Sequence, residues 1–255
     1  MLALFVSLMA AAGCGNKEST TSTAGPEKKA FEGQTLNLFA AAGLQKPMDQ
    51  VIQSFKEETG AQVAANYSSS GGLYAQIEQG QPCDLYYSAD WMYIDKVKQI
   101  GKLAEGQKFL KDNLVLIASE TGQSKVSKMD DLAKSGVTLV IADPQAPVGV
   151  YAKKALTSLG LWDKVSPNIK AQPSTVNQVI IMVKKDQVDA GLVFASVAKA
   201  NGLQPREVID QKYTGEIVFG SAVIKGGQTE LAKAFAQHAL KNINIFEQYG
   251  WEAYE

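Results

Sequence analysis

Segments typical of β-strands alternate with segments typical of helices along most of this chain. Residues 35–39 form a short apolar stretch of the strand type, and the next segment carries Met48, Val51 and Phe55 at the spacing of one helical face. The same order returns several times, up to a last helical segment at residues 231–246. This alternation predicts an α/β fold with mostly parallel sheets flanked by helices, in which ligands bind at the carboxyl ends of the strands.

The alternation falls into two blocks, which predict two lobes with a ligand cleft between them. The first lobe is predicted to comprise residues 33–115 and 219–255, and the second lobe residues 116–218. The apolar strands near residues 113–119 and 217–224 are the expected crossovers between the lobes. From residue 31 onward the chain has about 225 residues of ordinary globular composition, which is enough for two domains.

Three of the predicted strand regions lead through small residues toward a helix. These regions are FAAAG at residues 39–43, SSSGG at residues 68–72 and CDLYYSAD at residues 83–90. Small side chains leave the free backbone N–H groups of a helix start uncovered, and such groups bind anions. The sequence therefore predicts an anion site where these segments meet.

The first 14 residues are typical of an export signal. Residues 1–12 are almost wholly apolar, which is too short for a membrane-spanning helix and fits the apolar part of a secretory signal. The small residues before Cys14 resemble the cleavage site of bacterial lipoproteins. That resemblance implies a lipid on Cys14 that anchors the protein on the outer side of the cell membrane. Residues 15–32 are polar and are predicted to be a flexible tether.

Composition and motifs exclude several classes of function. The formal net charge of −1 offers no basic surface for nucleic acid, and no later apolar run could cross a bilayer. Cys83 has no partner for a disulfide if Cys14 is lipidated, so we expect it to be a buried small residue. The single histidine, His238, has no nucleophile placed beside it by a motif. Because zinc-binding and nucleotide-binding motifs are also lacking, we expect neither an enzyme nor a cofactor.

Six short motifs occur in a characteristic order. They are FAAAGL at residues 39–44, SSS at 68–70 with Leu73 and QIE at 76–78, PCDL at 82–85 with SAD at 88–90, DP at 143–144 with PVGVYA at 147–152, GLVF at 191–194, and YG at 249–250. Together they resemble the periplasmic molybdate-binding proteins that supply ABC importers, over nearly all of residues 33–252. The resemblance implies the two-lobed type II periplasmic-binding-protein fold, a monomer, and an ABC permease as partner.

The same resemblance implies a site of uncharged donors. In that family a dehydrated MoO4 or WO4 dianion lies in the cleft, so the expected ligand is molybdate or tungstate, without direct protein ligands to the metal atom. By position, Ser70 would offer its hydroxyl and its N–H, while Val148 and Val176 would each offer a backbone N–H. Gly43 stands where the family usually has Ser or Thr, and Phe194 stands where it commonly has Tyr. Each of these two positions therefore lacks a hydroxyl.

The missing hydroxyls leave alternatives open. A hydrogen bond to a charged partner contributes about 1.5–3 kcal/mol, so two lost bonds would cost roughly 3–6 kcal/mol, or some 10²–10⁴ in affinity. The candidate replacement donors are Gln45, Ser68, Ser69, Tyr87 and Ser196. An ordered water or a changed ligand would also account for the difference. A receptor for sulfate, phosphate or an organic acid is therefore the alternative function, and an enzyme or a sensory module is the third.

Overall fold

The computed structural model describes residues 29–255, which form two β-sheets with helices on their faces. The strands are β1 (Thr35–Ala41), β2 (Gln62–Ser68), β3 (Leu85–Ser88), β4 (Leu103–Asp112), β5 (Leu114–Ala118), β6 (Leu139–Val140), β7 (Ile169–Ala171), β8 (Ala190–Phe194), β9 (Glu207–Val208), β10 (Ile217–Ile224) and β11 (Glu252–Ala253). The helices are α1 (Gln45–Thr59), α2 (Ser70–Glu78), α3 (Trp91–Gln99), α4 (Pro147–Ser158), α5 (Trp162–Val165), α6 (Val176–Lys184), α7 (Ala195–Ala200), α8 (Gln211–Thr214), α9 (Thr229–Lys241) and α10 (Ile243–Gln248). Short 3-10 turns lie at Ala42–Leu44, Gly122–Ser124, Met129–Ala133 and Ser166–Asn168.

The two sheets divide the chain into two parts. The six-stranded sheet has the order β11-β4-β10-β3-β1-β2, and the five-stranded sheet has the order β7-β6-β8-β5-β9. We call residues 29–112 and 217–255, which build the first sheet and its helices, lobe 1, and residues 113–216 lobe 2. The predicted α/β class with two helix-flanked sheets is confirmed.

Both sheets are mixed, which corrects the prediction of mostly parallel sheets. Four strand pairings are parallel, β1 with β2 and β3, and β6 with β7 and β8, while the other five are antiparallel. The reason lies at the crossovers. The chain leaves lobe 1 at the end of β4 and returns at the start of β10, so these neighbours run in opposite directions, with Asp112 paired to Ile217. In lobe 2, β5 starts and β8 ends at the same junction, with Leu114 paired to Phe194.

The change from one sheet to the other lies a few residues earlier than the sequence suggests. The predicted crossover strands belong wholly to single sheets, β5 to the second sheet and β10 to the first. The connections themselves are Asn113, between β4 and β5, and residues 215–216, before β10. The predicted lobe boundaries at residues 115 and 218 thus fall inside β5 and β10. That the two lobes are separate domains stays a prediction.

The end of the predicted tether belongs to the folded part. Residues 29–32 form a turn, and the Phe31 N–H donates a hydrogen bond to the Thr59 carbonyl at 3.0 Å. The Phe31 ring packs against the main core, because an apolar side chain beside a fold is more stable when it is covered. The predicted signal segment, the lipidation site Cys14 and the tether up to residue 28 lie outside the described residues.

Two further segments differ from the predictions. The expected last helix at residues 231–246 is two helices, α9 and α10, which are separated at Asn242. Strand β4 is not evident from the sequence because its first half is polar and exposed. The two-residue strand β11 pairs with Leu110 and Lys111 near the end of β4, and the Tyr254 N–H donates to the Phe109 carbonyl at 3.0 Å.

Most buried apolar side chains form one cluster that includes residues of both lobes. A smaller cluster lies on the other face of the first sheet, where Leu73 of α2 and Ile94 of α3 pack on Phe39 and Tyr86. Cys83 belongs to this smaller cluster and is buried, as predicted, and burial raises the pKa of its thiol to about 12. Within residues 29–255, no helix combines the length and the apolar character that crossing a bilayer requires.

Candidate functional site

A small cavity lies between the two lobes. It is lined from lobe 1 by Ala41, Ala42, Gly43, Ser68, Ser69, Ser70, Ala89 and Phe219, and from lobe 2 by Ala146, Pro147, Val148, Thr175, Val176 and Phe194. About 20 Å³ is open to the centre of a water molecule. That is room for one small ion and too little for a drug-sized organic molecule. All five residues predicted to bind the ligand, Gly43, Ser70, Val148, Val176 and Phe194, line this one cavity.

Four backbone N–H groups at the cavity have no acceptor among residues 29–255. They belong to Gly43, Ser70, Val148 and Val176. Each of these residues lies in the first turn of a helix or 3-10 turn, where the N–H groups have no partner within the helix. The starts are fixed locally, by Ser69 and Thr175 as N-caps and by Pro147 as the first residue of α4. Two of the donors come from each lobe.

The Ser70 hydroxyl adds a fifth donor. Ser70 is fully buried, and its Oγ accepts a hydrogen bond from the Ala89 N–H at 3.0 Å. Because the oxygen is already held as an acceptor, its proton is free to be donated toward the cavity. The carbonyl of Ser70 is also fixed, since it accepts a hydrogen bond from the Tyr86 hydroxyl at 2.8 Å. Both ends of this residue are therefore positioned before a ligand arrives.

The cavity contains no ionisable side chain among its lining residues. Its polar atoms are backbone groups and the hydroxyls of serine and threonine, which donate without carrying a charge. Helix starts also present the positive end of the helix dipole. Such a site can hold an anion that needs only hydrogen-bond donors, and it has no carboxylate to accept a proton from a protonated oxyanion.

The structure divides the candidate replacement donors into two groups. Ser68 and Ser69 line the cavity, and the Ser69 Oγ accepts the Gly72 N–H at 3.3 Å as the cap of α2. Gln45, Tyr87 and Ser196 do not line the cavity, and a donor role for them stays a prediction. Gln45 is exposed beside a neighbouring depression, Tyr87 packs in the core against Phe109, and the Ser196 hydroxyl donates to Asp112.

The two positions that lack hydroxyls have different surroundings. A Cβ atom at Gly43 would lie 3.0 Å from Val197 Cγ2 and 3.3 Å from Val176 Cγ1, so even a serine would require these side chains to shift. Phe194 is buried, with its ring centroid 5.3 Å from that of Phe219 and 6.2 Å from that of Tyr151. The glycine thus permits the close approach of the lobes, and the phenyl ring forms an apolar wall of the cavity.

The lobes are joined by hydrogen bonds around the cavity. The Gly71 N–H of α2 donates to the Gln145 carbonyl at 2.9 Å, and Asn177 Nδ2 donates to the Ala42 carbonyl at 2.9 Å. Lys46 Nζ donates to the Ala200 carbonyl at 2.5 Å, at the carboxyl end of α7. All these contacts connect residues of different lobes, so the structure represents a closed arrangement in which both lobes contribute to the wall of the cavity.

One buried acid lies at the crossover beside Phe194. Asp112 accepts hydrogen bonds from the Asn113 N–H at 2.7 Å, from the Ser196 N–H at 3.3 Å and from the Ser196 hydroxyl. Its burial raises the pKa of the carboxyl group to about 7, although these hydrogen bonds partly oppose the shift. The sequence offers no signal for this contact, because the two residues are 84 positions apart.

The raised pKa of Asp112 predicts a pH-dependent stability. Between about pH 4 and pH 7 the folded protein holds a proton that the unfolded chain, with its pKa of 3.8, has released. Stability is therefore expected to fall as pH rises through this window, by up to about 1.4 kcal/mol per pH unit, and to level off above it. Thermal unfolding of wild type and Asp112→Asn at pH 5 and pH 8 measures this. At pH 8 the melting temperature of Asp112→Asn should rise relative to that of wild type. An equal difference in melting temperature at both pH values would contradict the raised pKa of Asp112.

His238 lies in α9 and takes part in a separate polar cluster. Its Nε2 lies 2.8 Å from Ser54 Oγ, and its Nδ1 lies 3.1 Å from Glu58 Oε2. His238 does not line the cavity. Within residues 29–255, no group of three or more His, Cys, Asp or Glu side chains has the arrangement to hold a metal ion.

The two mixed sheets, their closely spaced crossovers and the donor site between the lobes define a two-lobed solute-binding protein. The chain belongs to the family of bacterial extracellular solute-binding proteins, which matches residues 36–252. Within this family, it is 32% identical over 234 residues to the molybdate-binding protein ModA of Escherichia coli (strain K12), covering 87% of this chain and 90% of that protein.

Two further relatives extend the comparison. A putative ABC transporter substrate-binding lipoprotein of Bacillus subtilis (strain 168), YvgL, is 29% identical over 261 residues, covering 99% of this chain and 96% of that protein. The solved substrate-binding domain of a putative molybdenum ABC transporter from Clostridium difficile is 31% identical, with a TM-score of 0.65, covering 87% of this chain and 99% of that domain. The resemblance to molybdate-binding solute-binding proteins that the six motifs indicate is confirmed.

Proposed function

We propose that this protein captures the molybdate or tungstate dianion between its lobes and delivers it to an ABC permease. The observation that carries the proposal is the set of four backbone N–H groups and one serine hydroxyl around a small, uncharged cavity between the lobes. The relatives that are named as molybdate-binding support the choice of ligand. In this role the protein is a carrier and catalyses no reaction.

The chemistry of the donors favours a fully ionised anion. Molybdate carries no proton at neutral pH, so each of its oxygens can accept hydrogen bonds from the cavity. Phosphate keeps a proton near neutral pH, and no carboxylate lines the site to accept it, so that proton would have only hydroxyl or backbone oxygens as partners. The apolar Phe194 and Phe219 rings complete the wall and keep water away from the ion.

Calorimetric titration at pH 7.5 with molybdate, tungstate, sulfate and phosphate tests the proposal. Molybdate and tungstate are expected to bind at one site per chain, with phosphate far weaker because of its proton. If only sulfate gives a heat of binding, the ligand is a smaller tetrahedral dianion and not molybdate or tungstate. Absence of binding to all four ions, with the protein folded, would contradict the anion site itself.

We further propose that the mature protein is held at the outer face of the cell membrane through a lipid on Cys14. The apolar segment before Cys14 and the description of the Bacillus subtilis relative as a lipoprotein support this location. Mass spectrometry of the amino terminus of protein isolated from membranes would detect the acylated cysteine. An unmodified or differently processed terminus would contradict it.

A further inference from the structure

The peptide group between Ala42 and Gly43 connects the anion cavity to the opposite lobe. On one side, the Ala42 carbonyl accepts a hydrogen bond from Asn177 Nδ2 at 2.9 Å and another from the Gln45 N–H. On the other side, the Gly43 N–H has no acceptor in the described part of the chain, and Gly43 lines the cavity. A trans peptide is planar and directs its C=O and its N–H to opposite edges. Fixing the carbonyl therefore fixes the direction of the N–H.

Asn177 is placed to act on this peptide only when the lobes are together. It is the second residue of α6 in lobe 2, directly after Val176, whose own N–H has no acceptor in residues 29–255. The Ala42 carbonyl belongs to the 3-10 turn of lobe 1. The first turn of α6 thus supplies one donor to the cavity directly, while its next side chain holds a second donor across the cleft.

The contact also affects the strength of the donor. A hydrogen bond accepted by a carbonyl polarises its peptide group and strengthens the hydrogen bond that the attached N–H donates, by about 10–30%. Position 43 has no side-chain hydroxyl, so this N–H is the only hydrogen-bond donor that the residue can offer. The residue that orients and polarises it therefore matters more here than it would beside a serine.

We propose that Asn177 is a positioning residue for anion binding, which holds the Ala42–Gly43 peptide with its N–H toward the ligand and does so only in the closed arrangement. This inference rests on the proposed function. A hydroxyl at position 43 would donate to the ion directly. Asn177 instead strengthens and orients the Gly43 N–H, and does not contact the ion itself.

The test compares three variants by calorimetry with molybdate and by thermal unfolding without ligand. Asn177→Leu keeps the size of the side chain and removes the donor, so the Kd for molybdate should rise roughly three- to ten-fold. Asn177→Asp should raise the Kd further, because a carboxylate beside the Ala42 carbonyl repels both that oxygen and the dianion. The same aspartate lies in the first turn of α6, where an acid is favourable, so the melting temperature of the free protein should not fall.

Asn168→Leu is the matched control. Asn168 Nδ2 also donates to a backbone carbonyl, that of Leu132 at 2.7 Å, but both residues belong to lobe 2. Its loss should lower the melting temperature and leave the Kd for molybdate unchanged. A second readout is the 15N–1H resonance of the Gly43 amide, which should move on addition of molybdate in wild type and move less in Asn177→Leu.

The outcomes separate the two proposals. If wild type and Asn177→Leu bind molybdate with the same Kd, the role of Asn177 is overturned and the proposed function is left intact. Wild-type protein that binds none of the oxyanions would overturn the proposed function and the inference together. Both Asn177→Leu and the control Asn168→Leu could raise the Kd, each in proportion to its loss of melting temperature. That result would assign Asn177 to stability alone and overturn the inference.

Discussion

Replacement of Gly71 by alanine is expected to leave both lobes folded and to weaken anion binding by about 10²–10⁴-fold. A Cβ atom at this position would lie 2.6 Å from the backbone carbonyl oxygen of Gln145, which belongs to the opposite lobe, and 2.6 Å from the Tyr93 hydroxyl. The Tyr93 side chain can rotate away from the added Cβ. The Gln145 carbonyl is backbone and cannot, so the added Cβ would keep the two lobes apart at this point. The lobes would stop short of contact, and Val148 and Val176 would no longer reach the ion. Two lost bonds to a charged ligand cost roughly 3–6 kcal/mol.

The free protein should not be harmed by the same change. Gly71 is the second residue of α2, and alanine is favoured over glycine inside a helix by about 1 kcal/mol. The melting temperature without ligand is therefore expected to stay equal or rise, while the affinity falls. Small-angle scattering should show compaction of wild type on addition of ligand and little or none of Gly71→Ala.

Gly72→Ala is the matched control for this experiment. Its added Cβ would meet only the hydroxyl oxygens of Ser69, at 3.0 Å, and of Ser68, at 3.5 Å, which belong to the same lobe. Its effect on closure should therefore be small. Wild-type affinity and compaction in Gly71→Ala would show that the lobes do not close through this contact, and the closed arrangement would lose its functional meaning.

Ser70→Ala is expected to weaken binding by about 1.5–3 kcal/mol, or roughly 10- to 150-fold. The substitution removes the one buried hydroxyl whose oxygen is already held by the Ala89 N–H and whose proton is free for the ligand. The Ala89 N–H loses its acceptor at the same time, so the free protein should also become less stable by about 1–3 kcal/mol. Calorimetry and denaturant unfolding together separate these two losses.

Ser69→Ala provides the comparison, because Ser69 caps the same helix through the Gly72 N–H. Loss of that cap should cost about 1 kcal/mol of stability, with a smaller loss of affinity than in Ser70→Ala. If Ser70→Ala binds molybdate as tightly as wild type, the serine hydroxyl is not a ligand donor. If the two variants lose the same affinity, the donor role is shared along the serine run.

The donors at the cavity could be predicted because their signals are local. A strand end, a small residue and a helix cap lie next to one another in the sequence, as at Ser69 and Ser70, and the geometry of a helix start then fixes where the N–H groups point. Val148 and Val176 are predicted by position, from the resemblance to the molybdate-binding family, and not from a local signal. The fold class follows from the alternation of strands and helices in the same way.

The contacts between distant segments could not be predicted, because no local pattern encodes them. Asn177 and Ala42 are 135 positions apart, and their hydrogen bond depends on how two lobes meet. Ser196 is close in sequence to Phe194, which lines the cavity, yet its hydroxyl turns to Asp112 at the crossover. Proximity along the chain is therefore a poor guide to which hydroxyls face the ligand. Strand β4 is likewise not evident from the sequence, because its first half is polar and exposed and only its distant neighbours β10 and β11 complete its pairing.

The short strand β11 has a practical consequence for anyone who modifies this protein. It pairs with the last part of β4, and Trp251 just before it packs beside Phe219 and Phe246, with ring centroids 6.1 and 6.3 Å away. Cutting the chain before Trp251 would expose the backbone of β4 at Leu110 and Lys111, where a strand of another molecule could pair and start aggregation. A purification tag or fluorescent reporter placed downstream of β11 therefore needs a spacer long enough that it does not pull β11 away from β4.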